Sequence, residues 1–142
     1  MRISSLAKIV IGVEDVVVEG VSFDEARQAI VIDARPRKPH ASRCGRCGRR
    51  APYHDAGRGK RLWRCCDVGG TRAYVRCEAS RVRCPECGVT VRRVPWADHG
   101  SWFVRAFEDT CCWLALSMSK RACQELMRVS RTLTRASGAA SG

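Results

Sequence analysis

Two short knuckles constrain this chain more than any other feature: Cys44-Gly45-Arg46-Cys47 and Cys84-Pro85-Glu86-Cys87, each followed by a glycine, Gly48 and Gly88. Two residues between cysteines let both thiolates point from one tight turn at a single ion, with backbone N–H groups placed to bond the sulfurs. The following glycine supplies the left-handed conformation that closes such a turn. Together the knuckles form a tetrahedral four-thiolate site. Zn²⁺ fits it in a structural role, because no coordination position is left open for chemistry. The 36 residues between Cys47 and Cys84 exceed the usual short spacing. A β-hairpin in that interval would bring the knuckles together, which makes the arrangement a zinc ribbon.

Other chemistries compete for the same residues. Iron in a four-sulfur site would make a rubredoxin-like electron carrier, but such carriers are usually small and acidic. A single CxxC could serve as a redox dithiol, yet two matched knuckles favour a metal. A cysteine nucleophile with His54 or His99 as base has nothing else to mark it. His54 could replace a thiolate, although its neighbour Asp55 suits a surface pair better. The chain holds ten cysteines in 142 residues. Leu6 to Val13 is broken by Lys8 and lacks a cleavage site, so it does not read as a leader. No apolar run reaches the roughly 18–20 residues of a membrane span. The expected setting is therefore a reducing cytoplasm with nucleoid association, where clustered cysteines bind metal. Cys65 and Cys66 are adjacent and cannot both face one ion comfortably. Cys77, Cys111 and Cys123 sit at apolar positions as small core residues, and Cys112 lies one residue off that stripe.

Charge adds a second constraint. The formal net charge is +12, and 22 of the 26 basic residues are arginine. A guanidinium grips phosphate with a planar fork of donors; a GC-rich genome would also favour arginine codons. Residues 36–97 carry 16 basic and 4 acidic side chains, whereas the segments on either side are near neutral. That concentration predicts a nucleic-acid-binding module, with double-stranded DNA as partner. The candidate contacts are Arg46, Arg49, Arg50, Arg58, Lys60, Arg61 and Arg64 around the first knuckle, with Tyr53 and Trp63 interleaved. Arg72, Arg76, Arg81 and Arg83 line the later hairpin. Lys120 and Arg121 extend the set into the helical part.

The pattern of elements predicts an α+β chain. Val16-Val17-Val18 with Val21 to Phe23 reads as one strand and Ala29 to Ala34 as another, joined by a polar loop from Asp24 to Gln28. A short helix over Phe23 to Ile30 is the competing reading. Pro36 and Pro39 mark a boundary. Leu62 to Asp67, Gly69-Gly70 and Thr71 to Ser80 read as a hairpin. In its second arm Ala73, Val75, Cys77 and Ala79 alternate with Arg72, Tyr74, Arg76 and Glu78. The phase slips at Ser80-Arg81, where a bulge or bend delivers the chain to Cys84. From Trp102 the period becomes helical through Phe103, Phe107, Cys111, Leu114 and Met118, with Ser101 as N-cap. A second helix fits Lys120 to Arg128 behind Ser119, with Ala122, Cys123, Leu126 and Met127 inward. A third would begin at Ser130 and run into a small, polar tail read as disordered.

These residues together resemble a known family. Cys44-Gly45-Arg46-Cys47-Gly48, Tyr53-His54-Asp55, Arg61-Leu62-Trp63-Arg64, Asp67-Val68-Gly69-Gly70 and Arg81-Val82-Arg83-Cys84-Pro85-Glu86-Cys87-Gly88 resemble the N-terminal zinc-binding domain of bacterial ISL-three family transposases. Val94-Pro95-Trp96-Ala97, Arg105 to Asp109, Trp113-Leu114-Ala115 and Ser119-Lys120 are similar to the helix-turn-helix that follows in that family. The resemblance covers roughly residues 5–133. It implies zinc on Cys44, Cys47, Cys84 and Cys87. It also implies binding to the inverted repeats at transposon ends, with Ser130, Arg131, Thr132, Thr134 and Arg135 leading the helix that enters the major groove. A plain two-helix cap on the ribbon is the alternative for the segment Phe103 to Arg128.

The family's catalytic domain is of the RNase H type, carries three metal-binding acidic residues and lies downstream. The apolar period is lost abruptly after Val129, so the expectation is a truncated, non-catalytic portion with a frameshift or premature stop near residue 130. It would comprise a β-rich segment (1–40), a zinc ribbon (41–97), a partial helix-turn-helix (98–136) and a disordered tail (137–142). A full-length transposase or a second copy of the chain are its candidate protein partners. The competing function is a zinc-ribbon protein-interaction adaptor.

Overall fold

The computed structural model describes residues 2–128. The expected third helix, the tail, and the candidate contacts Arg131, Thr132 and Arg135 lie outside the described residues. The chain opens with helix α1 (Ile3–Ile11). Ile3, Leu6, Ala7, Val10 and Ile11 recur at three- and four-residue steps, the mark of an amphipathic helix. Gly12 ends it at φ 88°, its N–H on the Lys8 carbonyl at 2.9 Å. A Cβ there would stand 2.8 Å from the Ala106 Cβ, so this glycine also permits a close pass of a later helix. The expected β-rich segment (1–40) does not anticipate this helix, although its period is present in the sequence.

Strands β1 (Val16–Asp24) and β2 (Ala29–Pro36) form an antiparallel hairpin with a register shift between Val18 and Gly20. Its loop is not helical. The Asp24 carboxylate accepts from the N–H groups of Ala26 and Arg27, and Gln28 turns the chain at φ 51°. After a short 3₁₀ turn at Lys38–His40 come β3 (Tyr53–Asp55), β4 (Lys60–Val68), β5 (Thr71–Glu78), β6 (Arg81–Cys84) and β7 (Gly88–Val91). Helices α2 (Arg105–Ser117) and α3 (Lys120–Met127) follow.

The strands form two sheets. One has four strands in the order β1-β2-β5-β4, and the other has three in the order β3-β6-β7. The pairing of β2 with β5 is parallel. It joins the hairpin before Pro36 to the hairpin around Gly69-Gly70 in a single sheet. The alternation in β5 comes out in burial: Ala73, Val75 and Cys77 are buried, while Arg72, Tyr74 and Arg76 are half-exposed. The phase slip at Ser80-Arg81 is the step between sheets, since β5 ends at Glu78 and β6 begins at Arg81. One expectation needs correcting. The β4–β5 hairpin does not carry the knuckles together, because it belongs to the four-stranded sheet; the three-stranded sheet does that work.

The main core lies on the four-stranded sheet. Ala7 and Ile11 of α1, Val16, Ile32, Trp63, Val75, Trp96, Val104, Phe107 and Cys111 pack there. Trp63 and Trp96 meet edge to face, ring centroids 5.5 Å apart. Residues 102–104 lie along the edge of β4: the Arg64 N–H donates to the Trp102 carbonyl at 2.9 Å and the Val104 N–H to the Arg64 carbonyl at 3.0 Å. Ser101 does not cap α2 as expected. Its hydroxyl accepts from the Phe103 N–H at 3.1 Å, and α2 starts only at Arg105. Ser119 does cap α3, accepting from the Ala122 N–H at 3.1 Å. Cys123 is the buried residue of α3, and Ala122 and Leu126 are exposed rather than inward. No helix among the described residues is long and apolar enough to cross a membrane.

Candidate metal centre and basic face

The three-stranded sheet exists to mount the knuckles. Cys84 ends β6, and Cys87 sits in the turn before β7, so the second knuckle is the β6–β7 hairpin turn itself. The first knuckle docks beside it through the Gly45 N–H on the Val91 carbonyl at 3.2 Å and the Arg93 N–H on the Arg43 carbonyl at 2.9 Å. A Cβ at Gly45 would stand 2.4 Å from that Val91 oxygen, so only glycine permits the approach. Gly48 and Gly88 both have φ 77°, the left-handed closure the sequence predicts.

The ligand atoms of Cys44, Cys47, Cys84 and Cys87 lie within 4.8 Å of one another, and the Cys47 and Cys84 sulfurs are 3.6 Å apart. A tetrahedron with Zn–S near 2.3 Å has edges of about 3.8 Å, so the cluster fits the ion. Its electrostatics suit a cation. Burial pushes the Cys44 thiol up, but the N–H groups of Cys47 and Arg46 and the neighbouring thiols bring it down to about 7. Burial and the neighbouring thiols push Cys87 up to about 12. One thiolate forms readily and another resists; a divalent ion supplies the charge that lets all four ionise. The site is a structural Zn²⁺ site. His54 stays outside it, with Nε2 3.7 Å from the Asp55 carboxylate.

The candidate DNA contacts divide by what they touch. Several are engaged within the fold. Arg64 is only 9% exposed. It donates to the carbonyls of Arg128 at 2.7 Å and Met127 at 2.8 Å, pinning the end of α3 to β4. Arg76 grips Asp33 with two bonds of 2.7 and 2.9 Å. Arg81 grips Asp55, Arg49 pairs with Glu86, and Arg121 pairs with Glu125 at 3.2 Å. Arg61 is half-buried, its guanidinium 4.0 Å from the Trp102 ring centroid and 4.8 Å from that of Trp63. Arg72 is half-buried with its Nε unpartnered. By contrast Arg46, Arg50, Arg58, Lys60, Arg83 and Lys120 stand exposed with no ion pair among the described residues.

The structure also gathers residues that the sequence keeps apart. A cleft of about 1000 Å³ opens between β4, β5, the start of β6 and the 102–103 segment. Arg58, Lys60 and Arg61 line it together with Tyr74, Trp102 and Phe103. Sequence reasoning reads Trp102 only as the start of a helix. Its partnership with Arg61 spans about forty positions, and no local pattern announces it.

Residues 40–87 match the family described as the zinc-finger of transposase IS204/IS1001/IS1096/IS1165. Two curated relatives resemble a longer stretch. Each is a transposase for insertion sequence element IS1557 from Mycobacterium tuberculosis, one from strain CDC 1551 / Oshkosh and one from strain ATCC 25618 / H37Rv. Each is 42% identical over 134 residues, which covers 91% of this chain. The chain spans 30% of the length of these relatives. No solved structure matches the chain.

Proposed function

We propose that the chain, whose residues 40–87 match the zinc finger of the IS204/IS1001/IS1096/IS1165 transposases, is the zinc-dependent DNA-binding part of a transposase. Its duplex target is the inverted repeats at transposon ends. The described residues have a binding role, and strand transfer belongs to segments of a transposase beyond them. One observation carries this reading. Arg46, Arg50 and Arg83 project from the metal-held sheet, and Arg58 and Lys60 from the turn entering β4, all exposed and with no ion pair among the described residues. Cations left free in this way meet phosphates without first breaking an internal pair. The zinc fixes their spacing. Arg49 and Arg81 join them only by exchanging a carboxylate for a phosphate.

A gel shift with the zinc-loaded chain tests the reading. Terminal inverted repeats should bind more tightly than random duplex. With about five phosphate contacts, the logarithm of affinity should fall against log salt with a slope of about −4 to −5. A steep slope without preference for the repeats would keep DNA binding and remove end recognition. No shift with either duplex would favour the alternative, a zinc-ribbon adaptor whose cations meet an acidic protein.

A further inference from the structure

We propose that the cleft beside Trp102 binds unpaired nucleotides, so that the chain holds a short single-stranded segment as well as duplex DNA. The inference rests on the DNA-binding reading above and adds to it a cleft that shares Arg58 and Lys60 with the duplex face. The cleft's volume, about 1000 Å³, lies at the upper end of the roughly 300–1,000 Å³ range of ligand pockets, enough for more than one nucleotide.

Its chemistry is two-sided. No carboxylate lines it. Of its cations, Arg27 and Arg81 are held by Asp24 and Asp55, and Arg64 by Asp67 and the α3 carbonyls. Arg58, Lys60 and Arg61 have no carboxylate partner among the described residues, and the Arg61 Nε is buried with no hydrogen-bond partner. Arg58 and Lys60 are cations waiting for an anion, whereas the Arg61 guanidinium donates to the Ser101 carbonyl and packs on the Trp102 ring. The rest of the lining is aromatic and aliphatic. Trp102 is 63% exposed although the Arg61 guanidinium packs on its ring. The backbone bonds of residues 102 and 104 to Arg64 fix the main chain that carries that indole. A half-covered indole on a fixed main chain, beside free guanidinium and ammonium groups, is a stacking platform with a phosphate rail.

Duplex DNA does not match this lining, because its bases are stacked away from any protein ring. An acidic peptide would satisfy the cations but leave Trp102 and Phe103 unmatched. Unpaired nucleotides match both halves: the base lies on Trp102, whose ring the Arg61 guanidinium backs, and the backbone phosphate meets Arg58 and Lys60.

The test titrates the zinc-loaded chain with a fluorescent ~8-nucleotide oligothymidylate and, separately, with blunt duplex. Trp102→Ala should weaken the oligothymidylate roughly ten-fold and leave duplex affinity unchanged. Arg58→Glu, a change at an exposed turn, should also weaken it. Unchanged zinc content and melting confirm that both variants fold. The proposal is overturned if oligothymidylate binds both variants as well as the parent, or if polyglutamate displaces it as effectively as unlabelled oligothymidylate does. Duplex binding without oligothymidylate binding also overturns it while leaving the duplex reading intact. Oligothymidylate binding that depends on Trp102, without duplex binding, supports the cleft and removes the duplex reading.

Discussion

The two sheets of this molecule are held by different forces. The four-stranded sheet buries Trp63, Trp96, Phe107, Ile32 and Val75 in a continuous core. The three-stranded sheet has a separate core of only Cys44, Ala51, Val82 and Cys84, and two of those are metal ligands. So little apolar surface cannot offset the entropy of ordering three strands and two knuckles, and the ion supplies the difference. The arginines follow the same division in part, since Arg49 and Arg81 on the metal-held side pair with Glu86 and Asp55. On the larger sheet the arginines are drawn into the fold, Arg64 onto the end of α3 and Arg76 onto Asp33. On the metal-held sheet Arg46, Arg50 and Arg83 remain exposed and unpaired among the described residues. A metal fixes a backbone without consuming side chains, which leaves them for a partner.

Removing the metal should break the comparison open with the largest effect. Structural zinc contributes on the order of 10 kcal/mol in such sites. Chelation, or Cys84→Ser, should therefore raise amide exchange in β6 and β7 to unfolded rates while β2 and β5 stay protected. Exchange followed by mass spectrometry reads both sheets at once. Loss of protection in β5 at the same chelator concentration would show that the two sheets fold as one unit. The converse change is Trp63→Ala. Truncating this buried indole removes its edge-to-face contact with Trp96 and should cost about 3–5 kcal/mol in urea unfolding of the four-stranded sheet. Zinc affinity should stay within a few-fold of the parent. A large fall in zinc affinity would mean that the ribbon leans on the main core.

The metal centre was legible from sequence because its information is local: each knuckle spans four residues, and the glycine after it states the turn. The β5 alternation and the Ser119 cap were legible for the same reason. What escaped depends on pairing between distant segments. Nothing local says that β2 lies parallel to β5, or that the knuckles stand on a hairpin of their own after Ser80. The basic residues show the limit most clearly. Composition counts Arg64 and Arg83 alike, yet one is nearly buried against α3 and the other faces solvent. Helix α1 is a different case: its three- and four-residue apolar period is local, yet the valine-rich strands that follow make the first forty residues look β-rich throughout.

Backbone strain gives a smaller and sharper probe. Gly88 sits at φ 77°, and a methyl group added to it would meet nothing within 4 Å, so Gly88→Ala adds conformational strain and no clash. The left-handed cost is about 1–2 kcal/mol. Because the knuckle folds on its ion, that cost should appear as roughly ten-fold weaker zinc binding in a competition titration. Gly70→Ala is the matching control in the four-stranded sheet. It too has open space around it, and its φ lies outside the left-handed range. It should leave both zinc affinity and unfolding nearly unchanged, and an equal effect at both glycines would remove the knuckle's special demand.

The smallest expected effect separates the sheets by acid. The Arg76 guanidinium holds the Asp33 carboxyl below its ordinary 3.8, against an opposing push from burial. A carboxylate lowered in the folded state contributes stability that is fully present above its unfolded value and lost as pH falls through its folded value. The pair is partly solvated, with side-chain exposures of 37% and 24%, so its contribution should stay under about 1 kcal/mol. Asp33→Asn should flatten the acid limb of the four-stranded sheet by that amount and leave stability near neutral pH only slightly reduced. The ribbon titrates through a different reaction, since protons displace zinc from thiolates. Acidification should therefore release zinc first, and the Asp33-dependent loss should follow at lower pH in the remaining sheet. If Asp33→Asn shifts the pH of zinc release itself, the two sheets are coupled through β2 and β5, and the division between a metal-held and a core-held sheet gives way to one cooperative structure.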